Sequence, residues 1–220
     1  MRTTPVIAPP PHRTTGRAAL LLGLCSGVLS ALVLMRWGPL IATDRSVARA
    51  SHRWAVAEPA LTRVCRVLSD RVWDPWTMRL LAAAVAVWLL WRYAARRTAA
   101  WLAVTCLLAT LVQQWLKAAV GRARPVWPDP VDSAHYAAFP SGHAMTATVV
   151  CGLLLWLLAH HRAPRDVRRV ALGVAVVSVV GVGLTRVWLG VHWMSDVVGG
   201  WLLGALTVVC AVQVHRRWVR

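Results

Sequence analysis

Residues 182–200 read VGLTRVWLGVHWMSDVVGG, an apolar run interrupted by three ionisable side chains, Arg186, His192 and Asp196. Near hydrocarbon such groups need a partner or a water-filled cavity, which makes them functional candidates by default. His192 and Asp196 are four residues apart. On a helix that spacing puts them on one face about a turn from each other, where a carboxylate accepts from an imidazole nitrogen. The arrangement suits an oriented histidine nucleophile or base. It suits equally a structural His–Asp pair closing a helix end, because ion pairs without chemistry also perturb titration. The rest of the chain has to choose between them.

Composition places the run in a membrane. A chain of 220 residues that is 58% hydrophobic, with mean hydropathy +0.54, is too apolar for a typical soluble domain and too short for several domains. The formal charge is +17, but the arginines fall in short clusters between apolar runs. Membrane topology produces that distribution, so no nucleic-acid partner is expected. Cys25, Cys106, Cys151 and Cys210 lie inside apolar runs and Cys65 in a polar connection. Neither a disulfide framework nor a zinc-ligand spacing follows.

The expected fold is all-α: a six-transmembrane-helix bundle with an interfacial amphipathic helix between the first and second spans. Residues 1–17, with four prolines, read as a disordered basic tail, residues 18–214 as the membrane domain and residues 215–220 as a basic C-terminal tail. Uncharged or weakly charged runs at 18–35, 76–91, 98–120, 144–159, 170–189 and 197–214 approach or exceed the roughly 18 residues that cross a bilayer. The first is not read as a signal peptide, since no A-x-A site follows it. Within the 36–75 connection, Pro59 suits a first helical position. Leu61, Val64, Leu68 and Val72 then alternate with Arg63, Arg66, Asp70 and Arg71 in helical register, on a helix lying either in the interface or packed across the bundle end.

Six crossings put the end of the third span, the start of the fourth and the fifth–sixth junction on one side. Those are the places where unusual polar residues occur: Lys117, Arg122 and Arg124; Ser141, Gly142 and His143; Arg186, His192 and Asp196. Lysine and arginine there supply a positive cradle, and a helix N-terminus carrying Ser141 and Gly142 favours an anion. Phosphoryl transfer fits such a set, because its transition state spreads charge over equatorial oxygens and is stabilised mainly by position and electrostatics. Of the two histidines, one can attack phosphorus while the other protonates the leaving oxygen.

Lys117-x6-Arg124-Pro125, Pro140-Ser141-Gly142-His143 and Thr185-Arg186-x5-His192-x3-Asp196 together resemble the three-part signature of the type 2 phosphatidic acid phosphatase superfamily, which also contains the vanadium haloperoxidases. The resemblance implies His192 as the nucleophile forming a phosphohistidine, Asp196 as the group holding its other ring nitrogen, and His143 as the general acid. It implies Lys117, Arg124, Ser141, Gly142, Arg186 and, with serine replaced by threonine, Thr185 as phosphate binders. The implied activity is metal-independent, cofactor-free hydrolysis of a lipid phosphate or diphosphate, such as an isoprenoid diphosphate, a phosphatidylglycerophosphate or a phosphatidic acid. A phosphotransferase with the same intermediate and a membrane transporter are the alternatives, and the sequence gives no oligomeric state.

Other polar residues have plainer expectations. Arg122 reads as a solvated loop arginine rather than a charge behind the site, His135 and Tyr136 as loop residues, and Asp129 and Asp132 as turn formers. Trp188, Trp193 and Trp201 suit a bilayer interface. Arg92, Arg96 and Arg97, the turn with Arg162, Arg165, Arg168 and Arg169, and both termini carry the basic clusters. The positive-inside rule makes that side cytoplasmic, in the cell membrane, and the opposite side, with the site, extracytoplasmic.

Overall fold

Local sequence sets most of the helix boundaries. Asp74 accepts hydrogen bonds from the backbone N–H groups of Trp76 (2.7 Å) and Thr77, and with Pro75 following it starts a helix as an N-cap should. Gly121, at φ 56°, turns the chain into the left-handed conformation that ends another, its N–H donating to the Lys117 carbonyl. The computed structural model describes residues 12–218. Its helices are α1 (His12–Leu34), α2 (Gly38–Ala57), α3 (Pro59–Val67) with a π-helical turn at Leu68–Val72, α4 (Pro75–Tyr93), α5 (Arg96–Val120), α6 (Gly142–His160), α7 (Arg165–Trp188) and α8 (Met194–Trp218), with no strand among the described residues.

Among the described residues, five helices are long and apolar enough to cross a membrane: α1 from Thr15, α5, α6, α7 and α8 to Arg217. The expected second span forms as α4, yet it is not among the five. Trp76, Arg79, Trp88, Trp91 and Arg92 dilute its apolar character over only 19 residues. In the 36–75 connection the chain is helical almost throughout, and α3 does start at Pro59. Its Leu61, Val64 and Val67 are exposed while Thr62 is buried and donates to the Ala55 carbonyl, tying α3 to α2.

Two tail boundaries differ from expectation. Residues 1–11 lie outside the described residues, but 12–17 form the start of α1, because the prolines of the tail end at Pro11. The amide of Gln213 in α8 donates to the Thr15 carbonyl at 2.9 Å, fixing that end. At the other terminus α8 continues through Trp218, with His215, Arg216 and Arg217 in its last turn, where cations complement the helix dipole. Residues 219–220 lie outside the described residues.

The central helix is α6, packed against α4, α5, α7 and α8. It is apolar nearly all round, as a helix surrounded by others must be. Met145, Val149, Leu153 and Leu157 meet Leu89 and Leu102 in one cluster, while Ala147 and Val150 join Trp73, Met78 and Val182 in another. The approach of α8 to the start of α6 requires a missing side chain: a Cβ on Gly200 would lie 2.7 Å from the Ser141 carbonyl oxygen. That close contact brings the two helix N-termini together.

Candidate active site

The loop 121–141 joins α5 to α6 and is fastened at several points. The Ala138 N–H donates to the Arg122 carbonyl, the Trp127 indole donates to the Gly190 carbonyl at 2.9 Å, and His52 of α2 stacks on Trp127 with ring centroids 4.0 Å apart. Arg66 of α3 also donates to the Val131 carbonyl. The loop therefore lies across the end of the bundle where α5, α6, α7 and α8 terminate or begin. A loop so anchored can hold functional groups on a rigid scaffold.

Three cations surround the α6 N-terminus. Lys117, buried in the last turn of α5, donates from Nζ to the Ala137 carbonyl at 2.5 Å. Arg124 donates from Nε to the Tyr136 carbonyl and from Nη1 to the Val191 carbonyl, and the same Nη1 lies 3.1 Å from His192 Nε2. Arg186, in the last turn of α7 and 4% exposed, donates to Ser69 Oγ at 2.8 Å, with Asp70 and Asp132 carboxylates at 3.7 and 3.8 Å. Its Nε has no hydrogen-bond partner among the described residues. Ser141 precedes α6, its N–H donates to the Asp196 carbonyl at 2.9 Å, and its buried Oγ has no partner among the described residues. Two buried donors without protein acceptors, beside a helix N-terminus, fit a tetrahedral oxyanion.

His192 is buried in the turn ahead of α8, so the expected single helical face is not how it meets Asp196. Asp196 stands at the third position of α8 and reaches back to the capping residue: its Oδ2 accepts from the Trp193 N–H at 2.9 Å and lies 3.3 Å from His192 Nδ1. This is the reciprocal half of a capping box, with the imidazole added to it. Arg124 can only donate to Nε2, so the neutral ring carries its proton on Nδ1, facing Asp196. The in-plane lone pair then belongs to Nε2. Burial first, then the charges of Arg124, Arg186 and Lys117, hold the imidazole well below the usual histidine range. Burial and the Arg186 charge also push Arg124 down to about 10, leaving it cationic at neutral pH.

Gly142 opens α6, and a Cβ there would lie 2.8 Å from the Nε2 of the buried Gln113. His143 follows in the first turn of α6. Thr185 is buried in α7, but its hydroxyl donates to the Val182 carbonyl at 2.9 Å, one turn back in its own helix. The structure thus gathers Lys117, Arg124, Ser141, Gly142, His143, Arg186, His192 and Asp196 at one end of the bundle and engages the Thr185 hydroxyl elsewhere.

Several expectations are corrected. Arg122 is no solvated loop arginine: its side chain is 11% exposed and bridges Asp196 Oδ1 and Asp44 Oδ2, both at 2.6 Å. Its length lets it reach inward from the loop, where two buried carboxylates hold it. Asp132 makes its turn, accepting from the Ser133 N–H, and also faces Arg186. The indoles of Trp188, Trp193 and Trp201 also have protein acceptors, donating to Thr62 Oγ1 and the Ala123 and Val179 carbonyls. Asp44, Ser69 and Ser195 were not legible as site residues. Asp44 stands on an ordinary helical pattern far upstream of its partners, and nothing near it in sequence marks the pairing.

The sequence model described as the PAP2 superfamily matches residues 98–220. Phosphatidylglycerophosphatase B of Bacillus subtilis is 34% identical over 102 residues, covering 46% of this chain and 47% of that protein. The undecaprenyl-diphosphatase of Sulfolobus acidocaldarius is 33% identical over 84 residues, covering 35% and 33%. The lipid A 1-phosphatase of Rhizobium etli is 28% identical over 127 residues, covering 54% and 50%. The chain therefore spans half or less of the length of these curated relatives. In structure it resembles the transmembrane PAP2 type phosphatidylglycerolphosphate phosphatase from Bacillus subtilis, with a TM-score of 0.80, 23% identity, and 91% of this chain and 96% of that one covered.

Proposed function

The chain belongs to the PAP2 superfamily, and from that premise and the geometry of its site we propose that it is an integral membrane lipid phosphatase working through a phosphohistidine. The observation that carries the reading is His192, held through Nδ1 by Asp196 while its Nε2 faces Arg124. A phosphate bound among Lys117, Arg124, Arg186 and the free Ser141 hydroxyl would draw the Arg124 N–H away from Nε2 and present phosphorus to it. The Nε2–P bond then forms as the bond from phosphorus to the leaving oxygen breaks, and His143 gives that oxygen its proton. In the second step a water loses a proton to His143, attacks phosphorus and breaks the N–P bond. Gly142 keeps the α6 N-terminus open to the phosphate, and Thr185 supports α7 rather than touching substrate.

The reading extends to topology. Residues 12–218 form one membrane domain in which α4 completes six crossings and α3 lies at the interface with Leu61, Val64 and Val67 toward lipid. The basic turns and both termini face the cytoplasm, and the site faces outward at the bilayer surface. There a lipid presents its phosphate without leaving its leaflet. Relatives named for phosphatidylglycerophosphate, undecaprenyl diphosphate and lipid A all act, by those names, on lipid phosphates. An isoprenoid carrier diphosphate is the leading substrate for an outward-facing site. Purified protein in detergent, assayed for phosphate release against a panel of such lipids, tests the proposal. No release from any of them, or full release by His192→Ala, overturns it.

A further inference from the structure

Behind the Asp196–His192 pair stands a buried network that begins on α2, in a part of the chain the superfamily match does not cover. Asp44 is 2% exposed, and both of its carboxylate oxygens have partners inside the protein. Its Oδ1 accepts from the Ser195 N–H at 2.9 Å, and its Oδ2 accepts from Ser195 Oγ at 2.5 Å and from Arg122 Nη2 at 2.6 Å. Arg122 donates its other terminal nitrogen, Nη1, to Asp196 Oδ1 at 2.6 Å and to Ser195 Oγ at 2.7 Å. A single guanidinium fork thus spans two carboxylates, one of which orients the imidazole. We propose that Asp44 is a positioning residue for phosphoryl transfer, acting on His192 through Arg122 and Asp196.

The reasoning is electrostatic and geometric. Asp196 paired with Arg122 alone would be neutralised and would support the positive charge that develops on His192 only weakly. With Asp44 on the far side, two carboxylates share one guanidinium and one negative charge remains in excess beside the imidazole. In a buried, low-dielectric setting that excess acts strongly. Asp44 also grips the first turn of α8 through both polar groups of Ser195, the residue next to Asp196, so it fixes where the Asp196 carboxylate points. Around metal-bound histidines, the loss of an outer partner that orients the ring costs about 10–100-fold in affinity or activity, which sets the scale for such an indirect contact.

The inference rests on the phosphatase reading, and the test separates the two. The groups facing His192 are Asp196 from α8, Arg124 from the loop, Lys117 from α5, Arg186 from α7 and His143 from α6. Asp44→Asn changes none of them but removes the excess negative charge. The imidazolium is then less favoured, so the acid limb of the kcat/KM profile moves to lower pH. The same substitution lowers kcat by about tenfold or more while KM holds, the scale on which outer partners of metal-bound histidines act. Wild-type kcat together with an unmoved acid limb overturns the proposal, as does a fall in melting temperature with neither kinetic change. If Asp44→Asn does not accumulate folded, Arg122→Lys replaces it, since a single ammonium has no fork to span both carboxylates. A lower kcat with KM held supports the proposal there, and full kcat overturns it. A wild-type protein that releases no phosphate from any lipid would instead overturn the phosphatase reading and this inference with it.

Discussion

Arg124 Nη1 lies 3.1 Å from His192 Nε2, so the cation proposed to bind phosphate covers the atom proposed to attack it. The contact also fixes the tautomer, because Asp196 occupies the other side of the ring. In the proposed mechanism a substrate phosphate that recruits Arg124 would uncover His192 Nε2 in the same event. Replacing His192 with alanine is expected to abolish phosphate release. His143→Ala should lose about 10²–10⁴-fold, most for substrates whose leaving oxygen is most basic, as the loss of a general acid does. Steady-state assays on two lipids of different leaving-group pKa check both.

Gly200 packs where α8 meets the start of α6, with a Cβ position 2.7 Å from a backbone oxygen that cannot swing away. Gly200→Ala is expected to destabilise the protein by about 1–3 kcal/mol, the usual cost of overpacking, and to lower kcat by displacing Ser141. Gly142→Ala meets only the end of the Gln113 side chain and should cost less stability. Thermal melts of both variants in one detergent test the order, which reverses if the close approach is unimportant.

The pH dependence of stability has a definite sign at His192. Its folded pKa is depressed by burial and by the neighbouring cations, whereas the unfolded imidazole titrates near the ordinary value of about 6.5. The unfolded state therefore binds the extra proton. The stability that His192 contributes is complete above about pH 6.5 and is lost as pH falls below it, by up to about 1.4 kcal/mol per pH unit. Melting temperatures from pH 8 to 5 should decline below that point, and His192→Gln should flatten part of the decline.

Lys117, Arg124 and Arg186 outnumber the carboxylates that reach their side of the site, since Asp196 is held by His192 and Arg122 while Asp70 and Asp132 face Arg186, so the proposed cradle suits an anion better than a hard cation, which prefers several free carboxylates. Treatment with a chelator is expected to leave phosphate release unchanged, and vanadate is expected to inhibit competitively. Activity lost to the chelator and restored by added magnesium would contradict this.

Orientation is tested by labelling in intact cells, in a background with all five cysteines replaced. A cysteine at Ser133, in the loop over the site, should react with a membrane-impermeant thiol reagent. One at Ala163, in the basic turn between α6 and α7, should not. The reverse pattern would place the site in the cytoplasm.

The sequence by itself determined the all-helical membrane character and which polar residues share one end of the bundle, because both rest on local signals. Long apolar runs read out directly. Lys117, Arg124, Ser141, His143, Arg186 and His192 stand at helix ends or in the turns beside them, where span parity alone puts them on one side. Span by span the reading was less complete, since α4 has the expected position but too many tryptophans and arginines for its length. Only the tertiary structure decided that His192 sits ahead of α8 and meets Asp196 through a capping turn, that the Thr185 hydroxyl is spent within its own helix, and that Arg122 is an interior bridge. It alone revealed Asp44. A salt bridge between residues 44 and 122 leaves no periodicity in either segment, and which of the chain's 25 basic residues turns inward depends on the buried carboxylate that three-dimensional packing sets before it.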